Sequence, residues 1–168
     1  MGIFDRLFGR RTDAAALYRA IVDRARALHW YEQGNVADTI DGRFDMIAAI
    51  LSLTLLRIEG DPAGDSLGVA LAERFVDDMD PQLREIGIGD VVVGKHVGKM
   101  RSMLGGRLGA YREGLARGSI ATALLRNLYR DADPGAAAMG HVEGRLMRLN
   151  ADLATTPLDA LATGTLPQ

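Results

Sequence analysis

The run of residues from Met46 to Leu56 constrains the fold more than any other part of this chain. It reads MIAAILSLTLL, eleven residues in which Ser52 and Thr54 are the only polar ones. A helix that is apolar all round must be covered on all sides, and a membrane-spanning helix needs about 20 apolar residues. We therefore predict a central core helix over about residues 43–58, around which the other elements pack.

The other apolar residues recur at steps of three and four, the spacing of one helix face. The recurring sets are Leu17, Ile21 and Leu28; Leu67, Leu71 and Phe75; Val93, Val97, Met100, Leu104, Leu108, Tyr111 and Leu115; Leu124 and Leu128; and Val142, Leu146, Leu149 and Leu153. No stretch alternates long enough to predict a strand. The chain is 48% hydrophobic but only 5% aromatic, which also favours helix. We predict an all-α, single-domain bundle of about six to seven helices.

Boundaries within the chain follow from glycine, proline and the loss of periodicity. The first helix is expected to end near Trp30 and Tyr31, which are interpreted as core residues rather than as a partner anchor. Pro81 is predicted to begin a short helix of its own, because proline suits a first helical position. The helical domain is assigned to residues 12–154, and the small, polar segment 155–168 is expected to be a mobile tail.

The charge is nearly balanced overall but separated locally. The chain carries a net charge of −2, whereas residues 61–90 carry −6 and residues 91–117 carry +5. Such a reversal indicates either pairing within the chain or a surface for a partner. The overall charge argues against a general nucleic-acid binder, so no DNA partner is predicted.

The sequence gives little support for a catalytic or metal centre. There are no cysteines, and His29, His96 and His141 lack the spacing of a zinc site. Gly87, Gly89 and Gly94 do not follow a strand and do not match a phosphate-binding loop. We predict no cofactor, no metal and no catalytic residue.

Asp77, Asp78 and Asp80 leave one alternative open. Clustered carboxylates are the ligands that Mg²⁺ prefers, and an all-helical protein that binds lipids or isoprenoids could use them with magnesium. Such a site needs carboxylates from a second helix, so this hypothesis ranks below a solvated or partner-binding acidic face.

The first eleven residues form a separate amphipathic segment. Ile3, Phe4, Leu7 and Phe8 lie at helical spacing among arginines, the pattern of a helix at a membrane interface. The segment lacks the apolar stretch of a signal peptide. A disordered start, an arm packed on its own domain and membrane contact all stay open, and the expected location is the cytoplasm, with or without peripheral contact with the inner face of the cytoplasmic membrane.

Several ordered blocks of the chain resemble a known family. They are Trp30-Tyr31, DTIDGRFDM at residues 38–46, DDMDPQLREIGIGDVVVGKHVGKM at residues 77–100 and GGRLGAYREGL at residues 105–115. Together they are similar to the ubiquinol-cytochrome c chaperone family, which includes the Cbp3-type assembly factors. The resemblance covers about residues 12–130.

The resemblance implies a non-enzymatic assembly factor for the cytochrome bc1 complex, with newly made cytochrome b as its client. It also implies a small partner subunit and a place near the ribosomal exit as possible further partners; ribosome association through the basic helix is an alternative function. The matching charged residues are Asp77, Asp78, Asp80, Arg84, Glu85, Asp90, Lys95 and Lys99 at the charged junction, and Asp38, Asp41, Arg43 and Asp45 in the earlier block. Gly42, Gly87, Gly89 and Gly94 are expected to shape turns. Neither the resemblance nor the sequence separates client contacts from internal pairs.

Overall fold

A computed structural model describes residues 14–85 and 90–168, with the side chains of residues 80–101 outside the description. Its helices are α1 (Ala15–Ala25), α2 (His29–Glu32), α3 (Ile40–Glu59), α4 (Asp65–Glu85), α5 (Asp90–Arg117), α6 (Ala121–Asn127), α7 (Ala136–Thr155) and α8 (Leu158–Ala162), with a 3₁₀ turn at Pro62–Gly64. Six of these have seven residues or more, and the described ranges contain no strand. The predicted all-α bundle is confirmed.

Helix α3 forms the centre of the bundle, as the apolar run predicts. Thr39 caps its start, where the side-chain oxygen accepts a hydrogen bond from the backbone N–H of Gly42 at 3.1 Å. Every residue from Met46 to Leu55 is buried, and α3 packs against α1, α4, α5, α6 and α7. The hydroxyls of Ser52 and Thr54 donate to carbonyls one turn earlier, which satisfies both polar groups inside the core.

The chain departs from the predicted boundaries at its first helix. Helix α1 ends at Ala25, and a separate turn of helix, α2, follows. This places Leu28 at 70% exposure, although the spacing assigned it to the core face. Trp30 is buried, and its indole N–H donates to the carbonyl of Arg24 at 2.8 Å, so its predicted core position is confirmed.

Pro81 does not begin a helix of its own. Helix α4 continues through it to Glu85. A proline inside a helix removes one backbone donor and strains the preceding turn, which weakens a helix there without always ending it.

The segment 155–168 also differs from the expected mobile tail. It contains α8, in which Leu161 is fully buried, and it packs against α1. A guanidinium nitrogen of Arg24 donates to the carbonyl of Pro167 at 2.5 Å. One buried leucine gives no periodic signal, which is why the sequence pattern did not predict this packing.

Across the described ranges, no helix combines the length and the apolar character that crossing a bilayer would require.

Candidate functional site

A surface groove brings together residues from both charged blocks of the sequence. It encloses about 290 Å³ and is lined by Ala25, Arg26, Tyr31, Ile40, Arg43, Phe44, Ile47, Asp78 and Met79. Four helices contribute: the end of α1, α2, the start of α3 and the later part of α4. We call this cavity the junction groove, because Asp78 belongs to the charged junction and Arg43 belongs to the earlier block.

The junction groove has an apolar floor and a charged rim. Ile47 and Met79 are buried at its base, while Ile40 at the start of α3 is 72% exposed. The charged residues Arg26, Arg43 and Asp78 are exposed at its edge. Such a cavity fits an apolar side chain flanked by charges of either sign, a composition found in protein-binding pockets.

The carboxylate of Asp78 has a fixed orientation. The hydroxyl of Tyr18 on α1 donates to its Oδ2 atom at 2.7 Å. Burial raises the pKa of Tyr18, and the hydrogen bond to Asp78 raises it further. Asp78 therefore accepts one internal hydrogen bond and keeps acceptor capacity for a partner. Asp77, its neighbour, is exposed.

Asp45 requires a correction to the predicted partner-binding set. Its side chain has 0% exposure, and its two oxygens pair with Arg107 on α5 and with Arg130, each at 2.7 Å. The hydrogen bond to Asp45 is the main reason that the pKa of Arg130 is raised. A buried carboxylate held by two guanidinium groups is an internal contact, so Asp45 does not belong to an exposed binding surface.

The other charged residues of this block lie at the surface. Arg43 pairs with Asp38 at 2.8 Å, and Asp41 pairs with Arg130 at 2.8 Å, with all four side chains at least half exposed. Exposed pairs of this kind contribute only about 0 to 1 kcal/mol each. Asp38, Asp41 and Arg43 thus remain accessible to a partner.

The described arginines of the basic helix α5 pair within the chain. Arg107 contacts Asp45, Arg112 contacts Glu59 at 2.6 Å, and Arg117 contacts Glu113 at 2.5 Å. Internal pairing thus accounts for this half of α5. Asp80, Arg84, Glu85, Asp90, Lys95 and Lys99 have side chains outside the description.

Gly42 is required by a close backbone approach. A Cβ atom at this position would lie 1.9 Å from the carbonyl oxygen of Ala37, closer than any real contact. Its predicted role in shaping the entry to α3 therefore has a steric basis. Gly87, Gly89 and the N-terminal residues Ile3, Phe4, Leu7 and Phe8 lie outside the described residues, as do the contacts of Gly94.

Two arrangements had no signal in the sequence. Arg130 lies in an irregular segment after α6 with a left-handed backbone, φ 53°, so no periodicity marks it as a partner of Asp45. His29 and His141 are 112 residues apart, yet His29 Nδ1 lies 3.0 Å from His141 Nε2. Within the described part of the chain, no group of three or more His, Asp or Glu residues is placed to hold a metal ion.

Comparisons with known proteins identify relatives of this chain. The family model described as Ubiquinol-cytochrome C chaperone matches residues 32–167. The crystal structure of the Cbp3 homolog from Brucella abortus is similar, with 32% sequence identity and a TM-score of 0.84 over 98% of this chain and 95% of that one. A comparison with curated proteins gives no match.

Proposed function

Because the chain belongs to the ubiquinol-cytochrome c chaperone family, we propose that it is a non-enzymatic assembly chaperone of the cytochrome bc1 complex that binds newly made cytochrome b. The family match over residues 32–167 is the observation that carries this proposal. The Brucella abortus Cbp3 homolog supports it, because the two chains share a fold along nearly their whole length at 32% sequence identity.

The proposed contact surface is the junction groove together with the first half of α5. An exposed apolar residue, Ile40, stands beside a cavity with a buried apolar floor, and Arg43 and Asp78 supply charges of both signs at the rim. Interfaces concentrate binding energy in such partly enclosed apolar pockets with a polar edge. In this proposal Asp77, Lys95 and Lys99 extend the contact beyond the groove.

The proposed location is the cytoplasm, beside the inner face of the membrane. Ile3, Phe4, Leu7 and Phe8 would supply the peripheral contact, since their spacing is that of an interfacial helix. A chaperone held there would meet a membrane-protein client as it emerges. A ribosome and a small partner subunit are further proposed partners.

Two substitutions at the groove test the proposed surface. Ile40→Asp places a charge on a residue that is already exposed, at a helix start that tolerates aspartate, so the fold is expected to persist. Co-purification of cytochrome b with the tagged chaperone should fall about tenfold, the loss expected when a central apolar contact of an interface is removed. Arg43→Glu should lower it less, because Arg43 lies at the rim.

Val69→Asp is the matched control, since Val69 is an exposed apolar residue on α4 outside the junction groove. Charge reversal at Lys95 and Lys99 tests the α5 part of the surface in the same assay. If Ile40→Asp and the lysine double variant both retain cytochrome b, the proposed surface is wrong. If wild-type protein recovers no cytochrome b at all, the proposed client is wrong.

A further inference from the structure

Four basic side chains from three helices lie close enough for their charges to interact, and none of them lines the junction groove. They are Arg24 on α1, His29 on α2, and His141 and Arg145 on α7, and we call them the cationic cluster. The rings of His29 and His141 lie edge to face with centroids 5.2 Å apart, and their nearest nitrogens are 3.0 Å apart. Trp30 packs beside both rings.

The two arginines are positioned by separate contacts. The backbone carbonyl of Arg24 accepts the Trp30 indole N–H at 2.8 Å, which places Arg24 beside the histidines. Its half-buried guanidinium donates to the carbonyl of Pro167. Arg145 follows His141 by one turn of α7, so the two side chains share a helix face, and Arg145 is exposed.

The members of the cationic cluster repel one another when they are charged. Burial lowers the pKa of His29, and the positive charges of Arg145, His141 and Arg24 lower it further. Burial and then Arg145 lower the pKa of Arg24 in the same way. Carboxylates pair with Arg43, Arg107, Arg112, Arg117, Arg130 and Arg148, whereas none of the ion pairs in the described chain includes Arg24 or Arg145. Positive groups held close together without a carboxylate disfavour one another's charged forms. A bound anion would offset this repulsion.

We propose that the cationic cluster binds the phosphate group of a small ligand. Arg145 supplies an exposed guanidinium, Arg24 supplies a half-buried one, and the histidine pair supplies a ring N–H that the contact between the two rings does not use. A phosphate has three strongly accepting oxygens and a charge between about −1.5 and −2 at neutral pH, so it uses these donors more fully than a carboxylate does.

Protonation of His29 should raise the affinity for the dianionic form of phosphate. The groups that face His29 are Arg24 from α1 and His141 and Arg145 from α7, and Glu32 is the exposed carboxylate of α2 itself. At neutral pH the arginines carry the charge, whereas protonation of His29 adds to it. The bound anion favours the protonated form of His29, and by linkage that protonation favours the anion.

The test is an NMR titration of the purified full chain with inorganic phosphate at pH 6.5 and constant ionic strength. We expect saturable shifts of the ring signals of His29 and His141 and a rise in the pKa of His29. Arg145→Gln removes an exposed side chain and should weaken phosphate binding about tenfold, as expected for the loss of a charge-assisted contact. The same titration with acetate should give only weak, non-saturating shifts.

Arg148→Gln is the matched control, because Arg148 is an exposed arginine on the same helix whose partner is Asp152. It should bind phosphate like the wild type. The proposal is overturned if phosphate produces no saturable shift, if Arg145→Gln and Arg148→Gln behave alike, or if acetate binds as tightly as phosphate. Since no client is present, the result is independent of the proposed chaperone function.

Discussion

The carboxylate of Asp45 lies 2.7 Å from a guanidinium nitrogen of Arg107, and the aspartate side chain has no contact with solvent. This pair joins the centre of the bundle, α3, to α5, the helix that carries Lys95 and Lys99. Arg107 also packs over the ring of Phe44, at 5.4 Å, while its Nε atom has no hydrogen-bond partner. The position of the basic helix therefore depends on a buried charge pair that includes one incompletely satisfied group.

Asp45→Asn should lower the free energy of unfolding by about 3 kcal/mol, because it leaves Arg107 buried without an opposite charge. Urea denaturation measures the loss. Asp38→Asn provides the comparison, since its pair with Arg43 is exposed and should contribute about 0 to 1 kcal/mol. Equal effects of the two substitutions would contradict a structural role for Asp45.

Glycine substitutions should have opposite effects at two helical positions. Gly42→Ala forces a Cβ atom against the Ala37 carbonyl and should destabilise the protein, whereas a Cβ atom at Gly109 meets nothing within 4 Å. Gly109→Ala should therefore raise the free energy of unfolding by up to about 1 kcal/mol through helix propensity. If Gly109→Ala instead lowers the free energy of unfolding, the space beside Gly109 is not open in solution.

Glycines in α5 also show a limit of prediction from the sequence. The space beside Gly105, Gly106 and Gly109 is open, so several glycines in one helix do not by themselves indicate a close crossing with another helix. The apolar run and the three- and four-residue spacings predicted the bundle and its central helix, because a buried helix face requires apolar residues at regular spacing in the sequence. Contacts made by single residues produce no such regular spacing, so they are not predicted in this way.

The candidate site was therefore predictable only in part. The blocks containing Arg43 and Asp78 were identified, but their meeting in one groove depends on how α1, α3 and α4 pack. Asp45 was assigned to the same surface as Asp38 and Asp41, since a sequence pattern does not separate a buried carboxylate from an exposed one. Its partner Arg130 lies in an irregular segment, where no spacing rule applies.

The four tyrosines should ionise late in the folded protein. The pKa values of Tyr18, Tyr31 and Tyr111 are raised chiefly by burial, and burial raises that of Tyr129 to about 12. An unfolded tyrosine ionises near pH 10, so the protonated tyrosines favour the folded state. Their contribution to the free energy of unfolding is complete below about pH 10 and is lost as the pH rises toward 12. An ultraviolet titration should show little tyrosinate at pH 10, whereas the urea-unfolded chain should be about half ionised. If the tyrosines of the folded protein ionise near pH 10, their side chains are not buried in solution as they are in the structure.

The C-terminal segment should contribute to stability through Leu161. This side chain is fully buried although it lies beyond the last periodic helix, and Leu161→Ala should cost about 2 to 4 kcal/mol. Thr163→Ala, at an exposed position two residues on, should change the midpoint of urea denaturation little. A neutral Leu161→Ala variant would show that this segment does not pack against α1 in solution.

The most direct test of the proposed function measures assembled cytochrome bc1 complex in cells that lack this chain. Native gels and spectra of b-type haem should show the bc1 complex lost and the other respiratory complexes kept. Wild-type protein and Val69→Asp should restore it, whereas Ile40→Asp should not. Normal levels of bc1 complex in the deletion strain, or an equal loss of every respiratory complex, would contradict the account.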